Sequence, residues 1–371
     1  MRPAAATERG DAWTPPTWAD ELDRDAAWAA SDVQLAAAAR AARAALREPA
    51  ARDPLAPACD AADLLATPPP PIDWALPAIL PVGCMGILAG ADGTGKSWLA
   101  LALAVAVATG TPWAGGLCPS PQAGPVLYIS GEDDRDEVAR RVGALREAHG
   151  VTPAPGQIRV QPLTEPWPLL AAGRQDATPS ATPALAELAG MIADVTPRLV
   201  ILDPMIMFHA LSENDQQHMD YWGRQIIRVA RNSHCGVMIV HHAGQAATRD
   251  GAADHMIGRG STAIHAPARA VVTLRRPTQA EAADLEAAEE APSRWRKVTG
   301  PKISRGPEVA GAWIRFDTAG VPWIEPAPIP DVPGPRKRSA ASGSTRPRAS
   351  VAVVPPRRGR QVTDWAEGGD Q

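Results

Sequence analysis

From Gly90 to Ser97 the chain reads Gly-Ala-Asp-Gly-Thr-Gly-Lys-Ser. This fits G-x-x-x-x-G-K-[ST] and stands between an apolar run, Met85 to Ala89, and a helix-forming run, Gly95 to Thr109. Glycines in such a loop let successive backbone N–H groups wrap phosphate oxygens, and the helix that follows turns its positive end toward them. Lys96 would then reach the β- and γ-phosphates of ATP, and Ser97 would hold Mg²⁺. The expected nucleotide-binding stretch is Gly90, Ala91, Asp92, Gly93, Thr94, Gly95, Lys96, Ser97 and Trp98.

Further along, Leu199-Val200-Ile201-Leu202-Asp203 is an apolar strand ending in a carboxylate, which places Asp203 to hold the Mg²⁺ water shell in the Walker B manner. Pro204 follows it, so a catalytic base must come from elsewhere. Tyr128-Ile129-Ser130-Gly131-Glu132-Asp133-Asp134 ends the strand after the phosphate-loop helix. Glu132 is the candidate to polarise the attacking water, whereas Asp133 and Asp134 suit the acidic first turn of the next helix. Val237 to His242 ends in two adjacent histidines, and the strand period of two lets only one of them face a nucleotide. Arg259, in Arg-Gly-Ser-Thr, and Arg269 are the candidates for an arginine finger supplied by a neighbouring subunit.

These residues need a frame of strands alternating with helices, and the apolar pattern supplies one. Strands are expected at Met85–Ala89, Pro125–Ser130, Gln157–Gln161, Arg198–Leu202, Val237–His241 and Arg269–Leu274. Helices are expected at Gly95–Thr109, Asp134–His149, Ala184–Val195 and Asp215–Ser233. That alternation implies an α/β fold with a mostly parallel sheet covered on both faces. Four divisions follow: residues 1–71, an Ala/Pro-rich helical extension and linker; 72–276, the core; 277–325, a β-rich segment; and 326–371, a basic, Pro/Arg-rich tail with the composition of a disordered segment. Trp74, before the phosphate loop, reads as a core tryptophan or as a platform for the nucleotide base.

Composition limits the remaining choices. A net charge of −4 offers no global field for nucleic acid. The four cysteines form no C-x-x-C pair, so neither a disulfide framework nor a zinc site is expected. The most apolar helix, Trp98 to Thr109, is too short to span a bilayer, and no leader pattern opens the sequence. A cytoplasmic protein without membrane contact is expected.

The ordered set of phosphate loop, Tyr-Ile-Ser-Gly-Glu-Asp, Leu-Asp-Pro, Val-His-His-Ala and Arg-Gly-Ser-Thr-Ala-Ile resembles the AAA_25 group of P-loop ATPases. That group includes the ring-shaped replicative helicases of the plasmid RepA class, in the RecA/DnaB-like superfamily. The resemblance implies a RecA-like core, ATP and Mg²⁺ as ligands, and a homo-oligomeric ring, a hexamer, acting on single-stranded DNA. It implies Glu132 as catalytic base, Asp203 as Walker B acid, His242 as γ-phosphate sensor and Arg269 as finger, with Arg259 as the alternative. Ser212-Glu213-Asn214-Asp215 also looks like an element of this family. A regulatory ATPase switch acting on a protein partner is the second reading, since the segment 243–258 carries one basic residue, Arg249, beside Asp250 and Asp254.

Overall fold

The computed structural model describes residues 60–66, 68–172, 179–242, 262–305 and 309–328. The first 59 residues of the expected helical extension and linker, the segment 243–261 with Arg259, and the basic tail beyond residue 328 lie outside the described residues. Within the expected linker, a short helix α1 (Ala61–Ala66) forms, and a small hairpin, β1 (Trp74–Leu76) with β2 (Leu80–Pro81), precedes the core.

The core then alternates as anticipated. In chain order it comprises β3 (Met85–Gly90), α2 (Lys96–Thr109), β4 (Val126–Ser130), α3 (Arg135–His149) and β5 (Ile158–Pro162). Three two-residue strands, β6 (Leu170–Ala171), β7 (Ser180–Ala181) and β9 (His209–Ala210), make a separate small sheet around α4 (Pro183–Val195) and β8 (Leu199–Asp203). There follow α5 (Gln216–Asn232), β10 (Gly236–His242), α6 (Thr262–His265) and β11 (Ala270–Arg275). The chain closes with α7 (Gln279–Ala287), β12 (Trp295–Ile303), β13 (Val309–Phe316) and β14 (Pro322–Ile324).

The central sheet runs β14-β13-β12-β11-β3-β10-β8-β4-β5, and its six strands from β11 to β5 are parallel. Its two faces are read directly from strand parity. Leu88, Val126, Tyr128, Leu199, Ile201, Met238 and Val240 face α2 and α3. The intervening Ile87, Leu127, Ile129, Val200, Leu202, Val237 and Ile239 face α4 and α5. Burial on both faces is why these strands are apolar without alternation. Helix α2 is buried almost all round, from Leu99 to Ala108, as its uninterrupted Leu/Ala/Val sequence requires.

The β-rich segment 277–325 is continuous with the core. β12, β13 and β14 add antiparallel strands to the same sheet beside β11. Helix α7 is held by a Thr278–Glu281 capping box, and Glu281 also binds Arg275 through both oxygens, at 2.6 and 2.9 Å. The hairpin β1–β2 packs at the opposite, amino end of the strands, where the side chain of Ala75 approaches Gly236 and Arg198 donates to the Trp74 carbonyl. That position takes Trp74 away from the phosphate loop and from any nucleotide base.

Candidate nucleotide site

Because β3, β4, β8 and β10 are parallel neighbours in one stretch of sheet, their carboxyl ends open on a single crevice, the place where such sheets bind ligands. The phosphate loop leaves β3, Glu132 follows β4, Asp203 ends β8 and His242 ends β10. Four stretches spread along the chain, the outermost of which, at Asp92 and His242, are 150 residues apart, are thereby brought to one point.

The loop has the geometry its glycines predict. Gly95 caps α2 in the left-handed region (φ 92°), with no side chain capping the helix, so the first N–H groups of α2 stay open to an anion. At Gly90 a Cβ would stand 2.4 Å from the Leu274 carbonyl oxygen on β11. Lys96 is buried and its Nζ donates to the Ala91 carbonyl at 2.9 Å. Burial pulls the Lys96 pKa down, against the attraction of Asp92, Asp203 and Glu132. Three carboxylates around one ammonium favour phosphate only when a cation accompanies it.

Asp203 is the residue best prepared for that cation. It is fully buried; its Oδ2 accepts from the Tyr128 hydroxyl at 2.7 Å, while Oδ1 makes no full hydrogen bond. Desolvation raises its pKa to about 6, although hydrogen bonding from Tyr128 and Ser97 works in the other direction. An orphaned carboxylate oxygen beside a serine hydroxyl is the donor pair that a hard divalent cation takes. Ser97 and Asp203 therefore fit Mg²⁺.

Of the two histidines, parity sends His242 to the α2 face, with Val240 and Met238, and His241 to the other. His242 Nδ1 touches the Asp92 carboxylate of the phosphate loop, and its Nε2 lies 3.6 Å from Glu132 Oε1. Glu132 is half-exposed at the mouth of the crevice, whereas its neighbours are committed elsewhere. Asp134 caps α3 by accepting from Glu137 N, and Asp133 pairs with Arg141. That division of labour leaves Glu132 as the carboxylate free to face water.

Residues 47–248 match the AAA_25 family, described as an AAA domain. This is more than half of the chain. The protein belongs to the AAA_25 family. Its central unit is accordingly a P-loop domain of the nucleotide-hydrolysing kind, and its fold is a RecA-like α/β core. The matched span contains Lys96, Ser97, Glu132, Asp203 and His242, while Arg269 and β11 to β14 lie beyond it.

The AAA_25 domain does not gather every expected residue into its own crevice. Arg269 precedes β11, is exposed, and gives its backbone N–H to Met85 O at 2.8 Å. It sits at the amino end of β3, and five strand steps separate it from the phosphate loop, roughly 16 Å. Trp98 lies one residue beyond the loop but turns its ring away: a Cβ on Gly320, in the β13–β14 turn, would stand 3.0 Å from it, and the Arg141 guanidinium lies 5.3 Å from its centroid. The Trp98 ring braces the crevice from outside, while its backbone N–H, in the first turn of α2, remains among the donors open to an anion.

The crevice also holds residues that sequence reading passed over. Arg276 donates to Gly93 O at 3.2 Å, and buried Arg296 donates to Thr94 O at 3.0 Å, so β11 and β12 tie down the loop's backbone. Phe316 lies so close to Gly95 that a Cβ there would come within 2.5 Å of it. Nothing in the sequence around Arg296 or Phe316 signals these contacts. Tyr128 did carry a signal, since it shares parity with the α2 face and lies one strand from Asp203.

Proposed function

We propose that this AAA_25 protein is an ATP-hydrolysing motor that works as a homo-oligomeric ring, a hexamer, on single-stranded DNA of a plasmid, phage or similar element. The observation that supports it is the position of Arg269. An exposed arginine at the amino end of the sheet cannot serve its own phosphate loop, yet it is free to complete the crevice of a neighbour. A heterologous contact of that kind, repeated with a rotation that closes, builds a ring.

In this reading Lys96 and the open N–H groups of α2 bind the β- and γ-phosphates of ATP. Mg²⁺ at Ser97 and Asp203 would offset charge on the phosphates when bound. Glu132 orients water and takes its proton as the new oxygen–phosphorus bond forms and the bond to the bridging oxygen breaks. His242 senses whether the γ-phosphate is present, and the neighbour's Arg269 neutralises charge in the transition state.

The test is subunit mixing. Arg269→Ala and Lys96→Ala are each expected to lose hydrolysis alone. Random 1:1 rings should restore roughly a quarter of the sites, because an intact loop then meets an intact finger at one interface in four. Rings that form and never recover activity overturn the trans role of Arg269. The net charge of −4 and the poorly basic segment 243–258 favour a second reading, a switch acting on a protein partner. ATP hydrolysis stimulated several-fold by single-stranded DNA supports the motor, and hydrolysis indifferent to DNA supports the switch.

A further inference from the structure

Two adjacent histidines end β10, and the pleat gives them different surroundings. His242 meets the phosphate loop. His241 faces the other side of the sheet and meets a set of polar groups that phosphate chemistry does not use. Its Nε2 stands 3.7 Å from Glu213 Oε2, and the other oxygen, Oε1, stands 3.5 Å from His209 Nε2. Both rings are buried, with side-chain exposures of 0% for His209 and 5% for His241. Neither Nε2 completes a hydrogen bond.

The local chemistry fixes what these groups can do. Leu211 N donates to His209 Nδ1 at 3.3 Å, so a neutral His209 carries its proton on Nε2, aimed at Glu213. The pull of His209, then of His241, brings the Glu213 carboxyl down to about 2 against the cost of its burial. The two rings approach different oxygens, so the carboxylate stands between them as a bridge. They do not converge as ligands do, and among the described residues no cluster of three such side chains could hold a metal ion. Burying two imidazoles beside an apolar cluster is costly, with Trp222 edge-on to His209 at 6.0 Å, while Glu213 keeps 35% of its side chain exposed.

The chain positions show what the bridge connects. His209 and Glu213 lie on the segment that leaves Asp203, and His241 shares a strand end with His242. The separations exceed hydrogen-bond range by about 0.3 to 0.5 Å, so small adjustments of these side chains close them. We infer that Glu213 is a positioning residue for the γ-phosphate sensor, bracing His241 against His209 so that the end of β10 presents His242 to the nucleotide. This rests on the reading of His242 as that sensor.

The experiment measures binding, so it does not depend on turnover. Affinities for ATPγS and ADP, with Mg²⁺, are compared in the full-length protein and in Glu213→Ala, Glu213→Gln and His242→Ala. Glu213→Ala is expected to lower the preference for ATPγS over ADP by about tenfold, within the usual range of such couplings, with ADP affinity held within about twofold. Glu213→Gln can accept from one ring and donate to the other, and should retain most of the preference. Glu213→Asp, too short to span both rings, carries the alanine expectation if Glu213→Ala does not fold. Preference lost in His242→Ala but intact in Glu213→Ala overturns the brace and leaves the sensor standing. Preference intact in His242→Ala removes the sensor, and the brace with it. Equal loss of ADP and ATPγS affinity in the Glu213 variants marks a purely structural role and also overturns the inference.

Discussion

Replacing Asp203 by Asn should make this protein more stable while it removes function. Asp203 is fully buried, and its pKa lies near 6 instead of 3.8, chiefly through desolvation. The sign follows from the two ends of the titration. Below pH 3.8 the carboxyl is protonated in both the unfolded and the folded chain and contributes nothing to the pH dependence. Between 3.8 and about 6 the unfolded chain ionises first, so stability falls as pH rises, and above about 6 the full cost is in place. At 1.36 kcal/mol per pH unit, that gap corresponds to about 3 kcal/mol at pH 8. Asn is nearly isosteric, can accept from Tyr128 and can donate to Ser97, so it escapes the charge cost without opening a cavity. The assay is urea unfolding of wild type and Asp203→Asn in EDTA at pH 5 and pH 8. About half of that cost is already in place at pH 5, so the variant's advantage should grow by about 1.4 kcal/mol between these two values, the other titrating groups cancelling in the difference. Mg²⁺-dependent nucleotide hydrolysis should be lost at both. An advantage that is absent, or no larger at pH 8 than at pH 5, would falsify the claim that Asp203 is held ionised against its desolvation for the sake of a cation.

Glu132→Gln should bind ATP with near wild-type affinity and lose turnover by about 10²-fold or more, the usual value of a general base; measured turnover within a few-fold of wild type would assign the base elsewhere. Gly90→Ala forces a methyl group to within 2.4 Å of the Leu274 backbone oxygen. The pairing of β3 with β11 must yield, at about 1–3 kcal/mol, so the urea midpoint should drop and nucleotide affinity with it. An unchanged midpoint would mean the loop has slack that this geometry denies.

Local chemistry makes much of the site legible in the sequence. A glycine–lysine–serine loop has one efficient use, because only glycines admit the backbone turns and only a lysine and a hydroxyl complete them. An apolar run ending in aspartate announced β8 and Asp203, and strand parity alone established that one histidine of the pair must face away from the other. Tertiary structure decided which one. The parallel pairing of β10 with β3 put His242 on the face of α2, beside Asp92, and left His241 to Glu213 and His209. It also decided that the segment after Arg276 belongs to the same sheet, since Arg296 reaches Thr94 across 202 residues of chain and no periodicity in the sequence records a contact of that range. Arg269 shows the limit in one residue. Its type suggested a finger, but only its place at the amino end of the sheet shows that its own crevice is out of reach. Sequence determines which chemistry a short stretch can perform, because that depends on neighbours along the chain. The long-range packing of strands determines which stretches meet, because side chains from distant elements become neighbours only when the sheet closes.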